Sequence, residues 1–567
     1  MRRTLVYSMV RTLLVLAATL LAPALPTFAE DAADLLLTHG VFYPVEPATS
    51  VVGSLAVRDG RIAYLGPDDG AAAFRGPGTE VIDLGGRAVT PGLIDAHSHL
   101  LGLGAALAQV DLVDTTSYEE VVSRVAAAAA ETPAGTWVRG RGWDQNDWPG
   151  ERDFPEHGPL SRAVPDHPVW LTRIDGHAAL LNAAALRVLG IDAATSDPSG
   201  GRFLRDAEGR PTGVLIDNAM DVVRGRLPDP PPAEVRRQLA LAARRAAELG
   251  LTTVTDMGVG DAAIAAYREL AEAGELPVRA ALFLGDDAAL LERWFDHGPL
   301  LDLDGRLMVR GVKLYADGAL GSRGAALVEP YSDDPANLGL LTASGEHLRE
   351  VATRAVASGF QVGIHAIGDR GNLVALDALE AALAASPDAD DPRLRIEHAQ
   401  VMRPQDIARM ARLGVIASMQ PTHATSDMPW APDRLGEHRL AGAYAWREVL
   451  DAGGRLALGS DFPVERPDPL LGLHAAVTRQ DLQGDPPGGW LPDQRLGRQE
   501  ALRGFTLDAA WSLFLDHLVG SLEVGKRADL VVFDRDPMTV PEAEIPRVQV
   551  DLTVIDGRVV HRREAAP

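Results

Sequence analysis

The stretch AVTPGLIDAHSHL, Ala88 to Leu100, decides the fold. An apolar run breaks at Pro91 and Gly92, resumes, and ends on His97 and His99. Side chains two residues apart in an extended strand point to the same side, so both imidazoles are aimed at one place. The pattern predicts a buried strand with a polar site at its carboxyl end.

Seven more strand-like runs follow, separated by helical stretches rich in Ala, Leu and Arg. Eight strands alternating with helices predict an α/β fold, a (β/α)₈ TIM barrel over residues 91–500. The interval after the first strand is too long for one helix and a loop, which predicts an inserted α/β subdomain at 131–226 near the barrel mouth. The seven runs are TTVTDMG, VRAALFLG, MVRGVKLYADG, FQVGIHAIGD, RLRIEHAQ, VIASMQP and LALGSDFPV.

Both ends of the chain carry short strand patterns. Residues 30–90 include SLAVRDGRIAYLG and EVIDLGGRAVTPG, and residues 501–567 add a last barrel helix, ADLVVFDRDP and QVDLTVIDGRVVHR. Short apolar runs broken by Gly, Pro and Asp predict β-hairpins. We therefore expect one discontinuous β-sandwich built from both termini.

Composition limits the partners and the chemistry. The 567 residues carry a formal net charge of −25 and include no cysteine. So acidic a chain is not expected to bind nucleic acid, and its expected partner is a small-molecule substrate. Disulfides and thiolate ligands are excluded, so a metal site must use histidine and carboxylate groups. The composition is also compatible with a homo-oligomer.

Residues 1–29 have the layout of a secretory signal peptide. Early arginines precede an apolar run that starts at Leu13, and small residues lead to Ala29. The run is well short of the ~20 residues that a membrane-spanning helix needs. We expect cleavage after Ala29, export to a periplasm or the exterior, and no membrane association afterwards. An uncleaved anchor is the alternative.

Candidate metal ligands fall at the ends of four predicted strands. A single histidine on an apolar strand is more often a hydrogen-bonded core residue, but chance does not explain this joint placement. Imidazole and carboxylate ligands suit divalent ions, with Zn²⁺ the default for hydrolysis. A metal with an open position lowers the pKa of its water towards ~7. The candidates are His97, His99, His365, His398 and Asp461.

Lys313, on the fourth predicted strand, is one of only two lysines, the other being Lys526. A buried ammonium group can lose its proton, whereas a guanidinium group effectively cannot. A chain that uses arginine almost everywhere therefore keeps lysine where an uncharged amine is needed. Chance retention or an ion pair with Asp317 is the alternative.

The order of PGLIDAHSH, the strand-four lysine, GIHAIGD, IEHAQ and GSDFPV resembles the amidohydrolase superfamily. GWDQNDW, DGHAALLN, KLYADGALGSRGA and HAIGDRG resemble its amidohydrolase 3 or YtcJ-like branch, which includes N-substituted formamide deformylases. The resemblance covers essentially the whole mature chain. It implies the metal-dependent-hydrolase fold.

The resemblance also implies a ligand set. His97 and His99 would hold one metal with Asp461, and His365 and His398 would hold a second. Lys313 would bridge the two as a carbamate, and Asp461 would also move the proton. One or two divalent ions are expected, and an unmodified Lys313 would favour one.

The expected reaction is hydrolysis of a non-peptide carbon–nitrogen bond in an amide, N-formyl group, cyclic imide or ureide. A mononuclear deaminase and a phosphoester or lactone hydrolase are the alternatives on the same centre. A non-catalytic scaffold is disfavoured because all six ligand positions are filled.

Five further residues are candidates for contacting substrate. The resemblance implies a contact for His177, and strand alternation puts Tyr315 on the side of Lys313. Trp143 is expected as a pocket wall, with the insert's own core as the alternative. The glycine-rich DGALGSRG predicts a flexible loop that carries Asp317, and from which Arg323 reaches an anionic group.

Overall fold

The computed structural model describes residues 32–149, 153–225, 230–303 and 305–564. The predicted signal peptide, Met1 to Ala29, lies outside these ranges and stays a prediction. Within them, none of the helices combines the length and the apolar character needed to cross a bilayer.

Eight parallel strands form the predicted barrel. Each is hydrogen-bonded to the next from the first to the eighth, and the eighth packs beside the first. Nearly all their residues are buried, because parallel strands in a barrel are covered on both faces. Barrel strands one to eight are Leu93–Ser98, Leu251–Val259, Arg279–Leu284, Leu307–Tyr315, Gln361–Ala366, Arg395–His398, Ile416–Met419 and Leu456–Leu458.

Helices surround these strands. Ser344 starts one of them by accepting a hydrogen bond from the backbone N–H of His347 at 3.1 Å. Each longer helix buries an Ala, Val and Leu face in the barrel core. The helices are Leu100–Ala106, Pro232–Glu248, Asp261–Glu272, Ala288–His297, Gly345–Ala357, Asp369–Ala385, Pro404–Leu413, Pro421–Asp427, Ala431–Leu435, Glu437–Leu440, Trp446–Asp451, Pro469–Thr478, Arg498–Gly504 and Leu507–Ser512.

The two ends of the chain form one eight-stranded sheet, here called the terminal sheet. Val89 pairs with Val532, which joins the first part of the sheet to the last. Apolar side chains from both parts, including Phe42 and Val554, share one core. The strands are Leu35–Phe42, Val51–Arg58, Arg61–Gly66, Glu80–Asp83, Ala88–Pro91, Leu530–Phe533, Val550–Ile555 and Arg558–Arg562.

The stretch AVTPGLIDAHSHL is divided between two layers. Ala88–Pro91 belongs to the terminal sheet, and Leu93–Ser98 is barrel strand one. Gly92 lies between them, and a Cβ atom there would stand 2.1 Å from Oγ1 of Thr252. Only glycine lets the chain pass so close to strand two. One sequence run thus connects the terminal sheet to the barrel.

The segment between barrel strands one and two, here called the insert, has its own six-stranded sheet. It takes in residues before the predicted start at 131, because Val110 pairs with Gly140 and Val121 lies in the same core as Leu112. Its strands are Val110–Asp111, Val138–Trp143, Val169–Arg173, Ala178–Leu181, Gly201–Arg205 and Pro211–Asp217, and its helices are Tyr118–Ala130, Gly158–Ala163, Ala183–Leu189 and Asn218–Arg224.

Candidate active site

Side chains from barrel strands one, four and eight meet at the carboxyl end of the barrel. Nε2 of His97 lies 3.5 Å from Oδ1 of Asp461, and Nε2 of His99 lies 3.1 Å from the same oxygen. Nζ of Lys313 is 3.2 Å from Nε2 of His97. Four predicted site residues therefore share one place, as parallel strands ending at the same edge require.

His365 and His398 lie beside this group. Their ring centroids are 4.6 Å apart, and the ring of His398 is 4.7 Å from that of His97. Nε2 of His365 is 3.4 Å from the backbone oxygen of Gly318. The structure thus brings all six predicted ligand residues to the barrel mouth.

Two triads of ligand atoms could hold a divalent ion. One is His97, His99 and Asp461; the other is His398, His423 and the same Asp461, and the ligand atoms of each lie within 4.8 Å of one another. His365 belongs to neither triad. Among the described residues, Nε2 of His423 is buried without a hydrogen-bond partner, and Oδ1 of Asp461 has only the imidazole nitrogens of His97 and His99 beside it. Buried polar atoms are seldom left so, and imidazole with carboxylate suits Zn²⁺, so these residues fit a metal centre.

His423 is a site residue that the sequence reasoning missed. It lies in the helix Pro421–Asp427, directly after barrel strand seven, and its Nε2 is 3.8 Å from Oδ2 of Asp461. The available signal was a histidine shortly after the run VIASMQP, in the same relation to its strand as the other ligands. This signal was weak because Pro421 and the start of a helix separate His423 from the end of strand seven.

Buried side chains orient two of the imidazoles. Nδ1 of His97 donates to Oε2 of Glu397 at 2.6 Å, and Arg395 donates to both oxygens of Glu397. Nδ1 of His398 bonds to Oε1 of Gln420 at 2.8 Å. These bonds leave Nε2 of each ring available as a ligand, which is the usual role of such supporting groups.

Burial and neighbouring charges set the protonation of the site. Burial lowers the pKa of Lys313 to about 8, although Glu397 and Asp461 oppose this. Burial, with Lys313, lowers the pKa of His97 to about 4. Burial alone would raise the pKa of Asp461, but His97 and His99 hold it well below its usual range. Neutral imidazole, an ionised carboxylate and a readily deprotonated amine are the forms that metal binding needs.

His177 and Tyr315 lie where the sequence places them. The ring of His177 is 5.1 Å from that of His365, and its Nδ1 bonds to Oδ1 of Asp217 at 2.7 Å. The ring of Tyr315 is 5.4 Å from that of His365 and 4.7 Å from Nζ of Lys313. Both side chains line a cavity above the candidate ligands.

Trp143 and Arg323 do not line the site, which corrects two predictions. Trp143 is fully buried in the core of the insert, where its Nε1 donates to the backbone oxygen of Leu171. Arg323 donates to Asp333 at 3.1 Å. Trp143 fills the small core of the insert, and the carboxylate of Asp333 pairs with Arg323.

Asp317 lies in the cavity wall, but its carboxylate accepts hydrogen bonds from backbone N–H groups. It accepts N–H groups of Ala326, Ile367 and Gly368 at 2.8 to 3.0 Å. It thereby ties the loop after strand four to the end of strand five. This loop, DGALGSRG, is largely buried and packed instead of open, so Asp317 positions the wall and does not offer its carboxylate to a substrate.

Two cavities open on the site beneath the insert. The first, of about 1180 Å³, lies beside barrel strands one to four. The second, of about 1080 Å³, lies beside strands five to eight and includes His423. A substrate can therefore extend in two directions from Asp461. The residues that line both include Arg141, Asp175, His177, His365, His398 and Asp461.

Comparisons with known proteins agree with this geometry. The amidohydrolase family pattern matches residues 80–561. The chain is 37% identical to the Arabidopsis thaliana protein LONG AFTER FAR-RED 3, covering 88% of this chain and 87% of the relative. Identity is 34% to YtcJ of Bacillus subtilis (strain 168), covering 86% and 92% of the two chains.

A third relative has a named reaction. The N-substituted formamide deformylase of Arthrobacter pascens is 30% identical over 94% of this chain and 98% of its own length. Among solved structures, an uncharacterised metal-dependent hydrolase from Pyrococcus horikoshii OT3 superposes with a TM-score of 0.73 at 30% identity, covering 90% of this chain and 99% of that one.

Proposed function

Because the chain belongs to the amidohydrolase family, a family of metal-dependent hydrolases of carbon–nitrogen bonds, we propose that it cleaves a non-peptide amide bond, with N-substituted formamides as the first candidates. The deformylase relative supports this choice among amides, N-formyl groups, cyclic imides and ureides. The observation that carries the proposal is the buried Oδ1 of Asp461 between the imidazoles of His97 and His99, 3.5 and 3.1 Å from their Nε2 atoms.

The residues present divide the chemistry between them. When bound, a divalent ion supplies a water molecule of lowered pKa and polarises the carbonyl group. His97, His99 and Asp461 would hold it, with His398 and His423 for a second ion. Asp461 would accept the proton of the attacking water and deliver it to the leaving nitrogen.

Lys313 has the setting for carbamate formation. Its Nζ is buried and 3.2 Å from Nε2 of His97, and its lowered pKa leaves part of the amine uncharged at neutral pH. The uncharged nitrogen would form a bond to the carbon of CO₂ and release a proton, giving a carbamate anion. Two oxygens in place of an ammonium group would join the two triads of ligands.

Metal content and hydrolysis test this proposal together. Plasma mass spectrometry on tag-free protein should find one or two divalent ions per chain, and a panel of N-substituted formamides and acetamides should include a substrate. Lys313→Arg should lower the metal content if the carbamate forms. Lys526→Arg is the matched control, because Lys526 pairs with Glu523 away from the site.

The outcomes separate the parts of the proposal. Equal metal content in both lysine variants would contradict carbamate formation on Lys313 but not the proposed hydrolase activity. A protein that binds no Zn²⁺ or Mn²⁺ and cleaves no member of the panel would overturn the proposed function.

A further inference from the structure

The insert places a cation directly over the site. Arg141 extends from the insert strand Val138–Trp143 and lines both cavities together with Asp461 and His177. It therefore faces the point where the two cavities meet.

The guanidinium group of Arg141 has few partners. Its Nη2 donates to the backbone oxygen of Ile174 at 2.7 Å. Its Nε is buried and, among the described residues, has no acceptor. No carboxylate oxygen of the described chain lies within ion-pair distance. Arg141 is half-buried, so its charge is only partly hydrated, and an unpaired cation in a cavity wall suits an anionic ligand.

Neighbouring arginines at the same cavities show the contrast. Arg173, on the next strand, pairs with Asp144 and Asp175. Arg224 pairs with Asp221 at 2.9 Å. Each of these two guanidinium groups has a carboxylate partner within the chain. Arg141 differs from both in that its charge remains available to a ligand.

Electrostatics agree with this geometry. Burial lowers the pKa of Arg141 to about 10, while Asp461 and Asp175 oppose the change, so the group stays charged at neutral pH. Asp175 is already engaged by Arg173. Asp461 would be neutralised by a bound divalent ion. The charge of Arg141 would then have no compensation unless the substrate supplies it.

We propose that Arg141 binds a carboxylate of the substrate adjacent to the scissile amide, so that the substrates are N-acyl amino acids and related N-acyl acids. The inference rests on the proposed function. A carboxylate accepts two parallel N–H bonds from a guanidinium group, which makes arginine the side chain best suited to binding it. The two cavities then take the acyl chain and the amino-acid side chain.

Matched probes test this with and without turnover. N-formyl-leucine, as both enantiomers, is compared with N-formyl-leucinamide, which lacks only the charge. The non-hydrolysable N-methanesulfonyl-leucine and its carboxamide are titrated calorimetrically into the metal-loaded protein. The wild type should prefer each acid to its amide by about 10- to 100-fold.

Arg141→Met should abolish that preference, because it should raise KM for the acid much more than KM for the amide. Arg141→Lys should restore part of it. Arg139→Met is the matched control, since Arg139 is on the same strand but does not line either cavity. We expect no change in that variant.

Several results would overturn the inference. One is an equal loss of kcat for acid and amide in Arg141→Met with an unchanged ratio between them. Another is cleavage of neutral N-butylformamide with no preference for acids, which would leave the proposed function standing. Conversely, Arg141-dependent binding of the sulfonyl acid without any hydrolysis would support the anion site and contradict the hydrolase.

Discussion

Buried charged groups have different partners at the two ends of the barrel. At the carboxyl end, Asp461 faces the imidazoles of His97, His99 and His423 and has no ion pair with an arginine or lysine of the described residues. At the amino end, Arg279 donates to Asp529 of the terminal sheet at 2.8 Å and to Asp556. One end leaves polar groups for a ligand, and the other closes them into a network that joins the barrel to the terminal sheet. Stability and chemistry are therefore separated along the barrel axis.

The largest effect is expected on turnover at the carboxyl end. Asp461→Asn should lower kcat about 1000-fold, or about 4 kcal/mol, because the amide cannot accept the proton of the attacking water. The free energy of unfolding of the metal-free protein should fall slightly at neutral pH, because His97 and His99 stabilise the ionised carboxylate in the folded state. Steady-state kinetics and urea unfolding measure the two quantities.

Asp286→Asn is the control for this change, because Asp286 lines the first cavity but pairs with His347 away from the ligands. It should leave turnover nearly intact. A large loss of stability in Asp461→Asn would show that the carboxyl end is also structural, and would end the contrast.

The reverse effect is expected at the amino end. Arg279→Met should lower the free energy of unfolding by about 3–4 kcal/mol, because Asp529 is left buried without its counter-ion. The activity of the folded fraction should not change. Arg306→Met is the matched control, since Arg306 contacts Asp556 at 2.8 Å from a more exposed position. An equal loss in both variants would contradict the network.

Support of the ligands should matter less than the ligands themselves. Glu397→Gln should weaken metal binding by about 10- to 100-fold, because the amide holds His97 less firmly in the ligating tautomer. Competition with a fluorescent chelator measures this. Asp406→Asn is the control, a buried carboxyl that pairs with Arg403 outside the site. Unchanged affinity in Glu397→Gln would limit Glu397 to a structural pair with Arg395.

The smallest effect is a pH dependence at the carboxyl end. Burial raises the pKa of Glu465, which lines the second cavity, from 4.5 to about 7. The folded protein then holds the proton more tightly, so this contribution to stability is complete below pH 4.5 and is lost as the pH rises through 7. As the pH rises from 5 to 7, Glu465→Gln should gain unfolding free energy relative to wild type, by at most about 1.4 kcal/mol for each pH unit.

The opposite sign is expected for Glu523→Gln, because a hydrogen bond from Ser521 lowers the pKa of Glu523. That carboxylate stabilises the fold above its unfolded pKa. Unfolding of the variants across the pH range distinguishes the two signs. If the unfolding free energy of Glu465→Gln varies with pH in the same way as that of wild type, the raised pKa of Glu465 is contradicted.

Sequence predicted the barrel and the meeting of the candidate ligands at its mouth because both follow from short-range rules. The strand period puts His97 and His99 on one side, and parallel strands bring their carboxyl ends together. Lys313 and Asp461 needed only the same rule. His423 escaped it because the chain turns into a helix before reaching the histidine.

The residues around the ligands depended on contacts that sequence does not display. Trp143 and Arg323 carry the expected chemistry, but the packing of the insert and the carboxylate of Asp333 take them away from the site. Arg141 was hidden for the opposite reason. Arg141 is of interest because it has no ion pair with a carboxylate of the described residues. A missing partner cannot be read from sequence and becomes visible only in the structure.

The terminal sheet has a consequence for how the chain folds. Tyr43 donates to Asp536 across 493 residues of sequence, and the strands around them complete one sheet. Until the last strands are made, the early strands of this sheet present an open edge that can pair with other chains. Closing so large a loop also delays their pairing. We therefore expect refolding to proceed through a state with a formed barrel and an unfinished sheet, the species most prone to aggregate.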